Sequence, residues 1–274
     1  MLQTRAMLAQ LSISQWTARK QDKSITSEIE KIHAAHDAGK FNKLLVNKNL
    51  LDPISKIAAR VREYHYSVTL PWSDAGALLP SPLFNDYTIK IRGFKNDFKN
   101  AVDTMIGQYP AEVQSARVRL GTMYNPGDYP EAWELNNRFA INVEFLPVPD
   151  AQDFRVDVSN DAQDELRASV KASVAERQAD AVKATYARIH DVVSKIAARL
   201  SVDDAIFKDS LINNARDLCL VLKALNITDD PGITAVHAEI FDHLLVHPDA
   251  LRRDPVLRQR TANRADEILK CLPT

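Results

Sequence analysis

The chain has 274 residues, 45% apolar and 26% charged, with only 7 glycines and 2 cysteines. This is the composition of a folded chain with a sizeable core in one or two domains. So few glycines disfavour a turn-rich β fold and glycine-rich nucleotide loops. The net charge of −1 hides an uneven distribution: +6 over residues 1–100, −7 over 101–180 and zero over 181–274.

Residues 7–18 partly alternate apolar and polar, with Leu11 and Ile13 on one face, and read as a strand. Ser24 precedes a helix whose stripe is Ile25, Ile29 and Ile32, stopped by Gly39. Asp52-Pro53 starts a second helix, with Ile54, Ile57, Ala58 and Val61 on its apolar face. Residues 71–86 carry Pro71, Gly76, Pro80 and Pro82 among apolar residues and read as an ordered loop. A helix over residues 88–108 follows, and Pro110 predicts a separate helix after it. Asn125-Pro-Gly-Asp-Tyr-Pro is a turn, and Pro130 opens a short helix to Leu135.

Residues 139–147 give the clearest strand, alternating Phe139, Ile141, Val143 and Phe145 against polar or small neighbours. Residues 153–158 alternate again, so a hairpin is expected, with the N-terminal strand as third partner. Residues 160–200 contain no glycine or proline and form one long helix. Along it Val182, Tyr186, Ile189, Val193, Ile196 and Leu200 are spaced 4, 3, 4, 3, 4, a heptad seam. Folding back against the helix that carries Phe207, Leu211, Leu218 and Leu222 is the economical use of that seam. An intermolecular coiled coil is the alternative. Further helices are expected near residues 231–245 and 255–272.

The expected fold is α+β and predominantly helical. A small antiparallel sheet of about three strands packs with helices, and a long helix forms a helical hairpin. A mixed region over residues 1–158 and a helical region over 159–274 are the expected divisions.

No sequence pattern carries recognisable chemistry. His33 and His36, and His237, His243 and His247, lack the companion ligands of a metal motif. There is no nucleophile elbow or phosphate loop, and no catalytic residue, metal or cofactor is assigned. Cys219 and Cys271 are expected to be reduced thiols. No apolar run is long enough to span a bilayer, so a cytoplasmic protein without a membrane role is expected.

Two kinds of surface remain. Trp72, the seam at Val182, Tyr186, Ile189 and Val193, and the cluster Arg252, Arg253, Arg258 and Arg260 are candidates for protein contacts. The arginines suit an acidic partner such as the −7 segment of another copy. Lys90, Arg92, Lys95 and Lys99, among interleaved aromatics, are candidates for phosphate contacts.

Three segments also resemble a known family: residues 60–72 with Gly76-Ala-Leu-Leu-Pro, then 120–130, then 145–156. They are similar to an uncharacterised family of tailed-bacteriophage and prophage proteins, often encoded near a MoxR-type AAA+ ATPase. The resemblance covers roughly residues 55–225 and brings no catalytic residues. It implies an accessory or adaptor role beside a AAA+ ATPase system; with the absent catalytic motifs, the long helix with its heptad seam and the charge asymmetry, the expectation is a non-enzymatic protein of the host bacterial cytoplasm that acts by self-assembly or docking. The expected partners are a second copy, the ATPase or a host protein. Nucleic-acid binding in phage replication, recombination or genome handling, and inhibition of a host defence protein, are the alternatives.

Overall fold

In chain order the strand β1 (Ala6–Ser14) precedes β2 (Arg19–Gln21), α1 (Lys23–Ile32) and β3 (Asn42–Leu44). Next come α2 (Lys48–Val68), β4 (Leu70–Ser73), β5 (Gly76–Pro80) and α3 (Phe84–Leu120). The short α4 (Ala132–Leu135), β6 (Ala140–Leu146) and the long α5 (Asn160–Leu200) follow. The remaining elements are α6 (Ser210–Leu225), α7 (Pro231–His243), α8 (Pro248–Arg253) and α9 (Pro255–Cys271). This computed structural model describes residues 2–73, 76–150, 160–202 and 206–273. The fold is α+β and mostly helical, as the sequence patterns imply.

The helix starts follow local chemistry. Asp22 caps α1 by accepting from the Ser24 and Ile25 amides, and Asp230 caps α7 through Gly232 and Ile233. Asp254 caps α9 through Val256 and Leu257, and Pro231, Pro248 and Pro255 each sit in a first turn where no N–H is missed. Two expectations change. Helix α2 begins one turn before Asp52, where the Asn47 side chain accepts from the Asn49 amide at 3.1 Å. Helix α3 runs through Pro110 as one helix of 37 residues. The proline removes one ladder bond, while Met105, Tyr109 and Ala116 on either side of it are buried and hold the helix in line.

The sheet has four strands in the order β4-β5-β1-β6, and β2 and β3 form a separate ribbon. Residues 71–86 therefore carry strands rather than a loop, and the expected three strands become four. Two physical facts hide this in the sequence. Pro71 lies on the edge strand β4, where a missing donor is tolerated. The strand β5 is central, and Ala77, Leu78, Leu79 and Pro80 are all buried, so its two faces show no alternation. The expected partner strand at residues 153–158 lies outside the described residues.

The chain divides into two compact units, and neither is continuous. Unit 1 comprises residues 1–10, 64–87 and 144–274, and unit 2 comprises 11–63 and 88–143. A division at residue 158 is replaced by this interleaving, because β4, β5 and the start of β1 share a core with the C-terminal helices.

In unit 1, β1 pairs antiparallel with β5 over Ala6↔Pro80 to Ala9↔Ala77, and Leu70 of β4 faces Leu78. Leu8, Leu78 and Leu70 thus align across three strands, and Trp72 lies two residues along from Leu70 on the same face. They pack with Ala181 of α5 and with Leu225 and Ile227 at and after the end of α6. A second core joins Ile189, Val193, Ile196 and Leu200 of α5 to Leu218 and Leu222 of α6, Ile240 of α7 and Ala265 of α9.

In unit 2, α3 buries Ile91, Phe94, Phe98, Val102 and Met105, and α2 buries Ile54, Ala58 and Val61. Phe98 meets Phe139 edge-on, and Trp16 meets Tyr109 in the same way. Helix α1 buries none of its residues, and Ile29 and Ile32 of the expected apolar stripe are exposed.

Candidate functional site

Most of the expected protein-contact residues lie inside unit 1. Ile189 and Val193 are 0% exposed in the helical core, so the heptad seam is filled by this chain's own helices. Val182 and Tyr186 are half-buried against the same core. The Tyr186 hydroxyl donates to Asp230 Oδ1 at 3.0 Å, the carboxylate that caps α7. A Cβ at Gly232 would lie 2.4 Å from the Tyr186 hydroxyl, so a larger residue there would displace that hydroxyl from its place. Trp72 is buried; its carbonyl accepts from Arg177 at 2.6 Å, and the same guanidinium lies 5.8 Å from its ring centroid. These five residues are corrected from contact surface to core and core margin. A heptad spacing specifies a buried stripe, not whose helix buries it.

The C-terminal arginines separate by role. Arg252 pairs with Asp209 and Asp249 and lies over the Phe207 ring, so it ties α8 to the segment before α6. Arg258 is buried. Arg253 and Arg260 are exposed, and Arg260 lines a groove of about 900 Å³ between the end of α7 and α9. Val246, Val256 and Leu257 supply its apolar part; Asp242, Glu267, Arg260 and Arg264 balance in charge. Arg264 is already held by Glu239 and Glu267.

Lys90, Arg92, Lys95 and Lys99 are all exposed on α3. They do not form one patch. At about 100° per residue, Arg92, Lys95 and Lys99 fall within roughly 60° of arc, while Lys90 lies on the other flank of the buried stripe. The Lys90 ammonium sits 5.5 Å from the Phe94 ring centroid, and Arg60 of α2 approaches the same ring at 5.6 Å. Lys95 and Lys99 border a groove of about 360 Å³ whose other wall is Asn136, Phe139, Ala140 and Ile141. Asp103 also lines it and pairs with Lys99 at 2.6 Å.

Three residues before Asn136, on the same short helical stretch, is a residue that no sequence pattern singles out. Trp133 of α4 is 68% exposed, an unusual position for the largest side chain. One sequence signal does bear on it: Pro130 and the turn before it place the tryptophan on a short helix with too few apolar neighbours to bury it.

Buried ionisable groups in both units are tied to neighbours within their own unit. In unit 2 the Lys43 ammonium, 6% exposed, is held by Asp22 at 3.2 Å, Asp128 at 2.7 Å and the Met123 carbonyl at 2.9 Å. The Ile25 amide and then Lys43 hold the Asp22 carboxyl below the usual carboxylate range. In unit 1, His65 and Tyr87 are hydrogen-bonded at 2.8 Å in a closed interior, and burial pushes the imidazole down to about 4. Arg188 of α5 donates to the Ser67 and Thr69 carbonyls and so satisfies the C-terminal end of α2. Among the described residues no three of His, Cys, Asp and Glu gather as metal ligands, and no helix is long and apolar enough to cross a membrane.

Charge divides with the units. Unit 2 holds 17 Lys and Arg against 12 Asp and Glu, a net +5, and unit 1 holds 18 against 24, a net −6. Comparison with known proteins finds no protein family, no curated protein and no solved structure that matches the chain.

Proposed function

We propose that this is a non-enzymatic binding protein whose unit 2 docks on a polyanionic partner. One observation carries the reading. Among the described residues, only Lys43 and Lys99 of the 17 cations in unit 2 pair with a carboxylate. Exposed cations such as Arg92 and Lys95 are left to meet charge from outside, and such a surface steers an oppositely charged macromolecule.

Assembly through the Val182–Val193 seam loses its support, since that seam is buried. Self-assembly then rests on charge, with the basic unit of one copy meeting the acidic unit of another. The resemblance to phage proteins supports an accessory role beside a AAA+ ATPase, with the ATPase or a host protein as the acidic partner. Inhibition of a host defence protein is a docking function of the same kind.

The test is retention of nuclease-treated protein on immobilised heparin. A chain of net charge −1 with evenly mixed charges would pass through. This protein is expected to bind at low salt and to elute as salt rises, and Arg92→Glu with Lys95→Glu should abolish retention. Flow-through of the unaltered protein overturns the reading. Light scattering on the same sample separates the occupants: an oligomer that dissociates in salt assigns the cations to a second copy.

A further inference from the structure

The geometry points to a single-stranded nucleic acid as the polyanion, held where the Lys95–Lys99 side of α3 meets the exposed Trp133. This rests on the polyanion reading above and narrows it to one surface.

Three features of unit 2 coincide. First, Arg92, Lys95 and Lys99 are exposed on one side of α3, spaced about one turn apart, so a backbone running along the helix meets successive cations. Second, the groove beside Lys95 and Lys99 has an apolar floor of Phe98, Val102 and Phe139 rather than a second line of acids. Among its described lining residues Asp103 is the one carboxylate, and it is matched by Lys99. Third, Trp133 stands near the rim. Helix α4 continues without a break into the 3-10 turn Asn136–Arg138, and Asn136 lines the groove. Residues three apart on a helix share a face, with Cβ atoms about 5–6 Å apart. Trp133 therefore projects beside Asn136, with most of its indole in solvent.

Cations for phosphates next to an uncovered aromatic face are the two elements of sequence-tolerant single-strand binding. An acidic protein uses the first element and has no need of the second. A duplex keeps its bases stacked and cannot offer one to Trp133.

Tryptophan fluorescence reads this surface directly, since Trp72 is buried and Trp16 only half-exposed. Nuclease-treated full-length protein is titrated with an oligothymidylate of about twenty nucleotides, long enough for one binding site. Quenching at low salt is expected. The logarithm of affinity should fall with the logarithm of salt at a slope of roughly −1.4, for phosphate contacts by Arg92 and Lys95 on a single strand, Lys99 being matched by Asp103. Trp133→Ala should weaken binding roughly tenfold or more and remove most of the quenching. Lys95→Ala with Lys99→Ala should bring the slope to roughly −0.7.

Absence of quenching, a salt-independent affinity, or wild-type binding by both variants overturns the proposal. So does equal binding of a duplex of the same length, or equal competition by polyglutamate, which carries the charge without the bases. If heparin retains the protein and oligothymidylate does not bind, this inference fails and the polyanion reading stands. If neither binds, both fail.

Discussion

The two units of this chain pair their cations to different extents. In unit 1, Arg5, Arg167, Lys183, Lys195, Arg252 and Arg264 each meet a carboxylate of the same unit. Unit 1 also uses Arg188 to close the end of α2 and Arg177 to hold the Trp72 carbonyl. In unit 2 one buried lysine, Lys43, takes two carboxylates, and among the described residues most exposed cations take none. Function is best sought where charge is left over. Exposed ion pairs contribute little stability, so the pairing in unit 1 matters mainly because it leaves fewer charges for a partner. Arg92 and Lys95 in unit 2 have no folding role that the structure shows.

Three measurements challenge this contrast. The largest effect belongs to the core of unit 1. Ile189→Ala removes a fully buried side chain from the α5 stripe and should cost about 4 kcal/mol. Chemical denaturation measures the loss, and light scattering should show an unchanged solution mass. A changed mass would return the seam to an intermolecular role.

Next is the polar centre of unit 2. Lys43→Met leaves the partly buried Asp22 and Asp128 side by side without their cation and should cost about 2 kcal/mol or more. The same denaturation experiment should report a loss of stability much larger than that of Lys95→Ala, whose side chain is exposed. Equal, small losses would mean that the buried lysine is no more structural than the surface cations.

The smallest of the three is a pH response confined to unit 1. Burial holds the His65 imidazole at about 4, against about 6.5 in an unfolded chain. Between those values the unfolded chain binds a proton that the folded chain does not. Stability is therefore complete above the unfolded value and falls as pH drops through that window, by roughly 2 kcal/mol at pH 5. Asp22 has the opposite chemistry but the same direction: its carboxyl is held low, so its contribution is lost only as pH falls below the ordinary carboxylate range. Hydrogen exchange near pH 5 should therefore rise around His65 and Tyr87 before it rises around Asp22 and Lys43. His65→Gln should remove the response in this window. A response that persists in that variant would place the titrating group elsewhere.

Local elements are written in the sequence. The unbroken run of helix formers over residues 160–200 is α5 with the same bounds, and Pro231 and Pro255 mark the first turns of α7 and α9. The alternation from Ile141 to Phe145 is carried by β6, which begins one residue after Phe139. These signals are contained within a few turns or a few residues of chain, where spacing, caps and prolines act directly. Other features exist only once the chain has folded. Ala77, Leu78 and Leu79 of β5 have no period because both faces of the strand are covered, and only its neighbours in the sheet reveal that. Ile189 and Val193 show a stripe that must be buried, but the helices that bury them come from elsewhere in the chain. Lys95, Lys99 and Trp133 carry no common pattern, because a long stretch of chain separates the helix from the turn that meets it. Long-range pairing sets what is core and what is surface, and a binding surface is defined by what the core leaves uncovered.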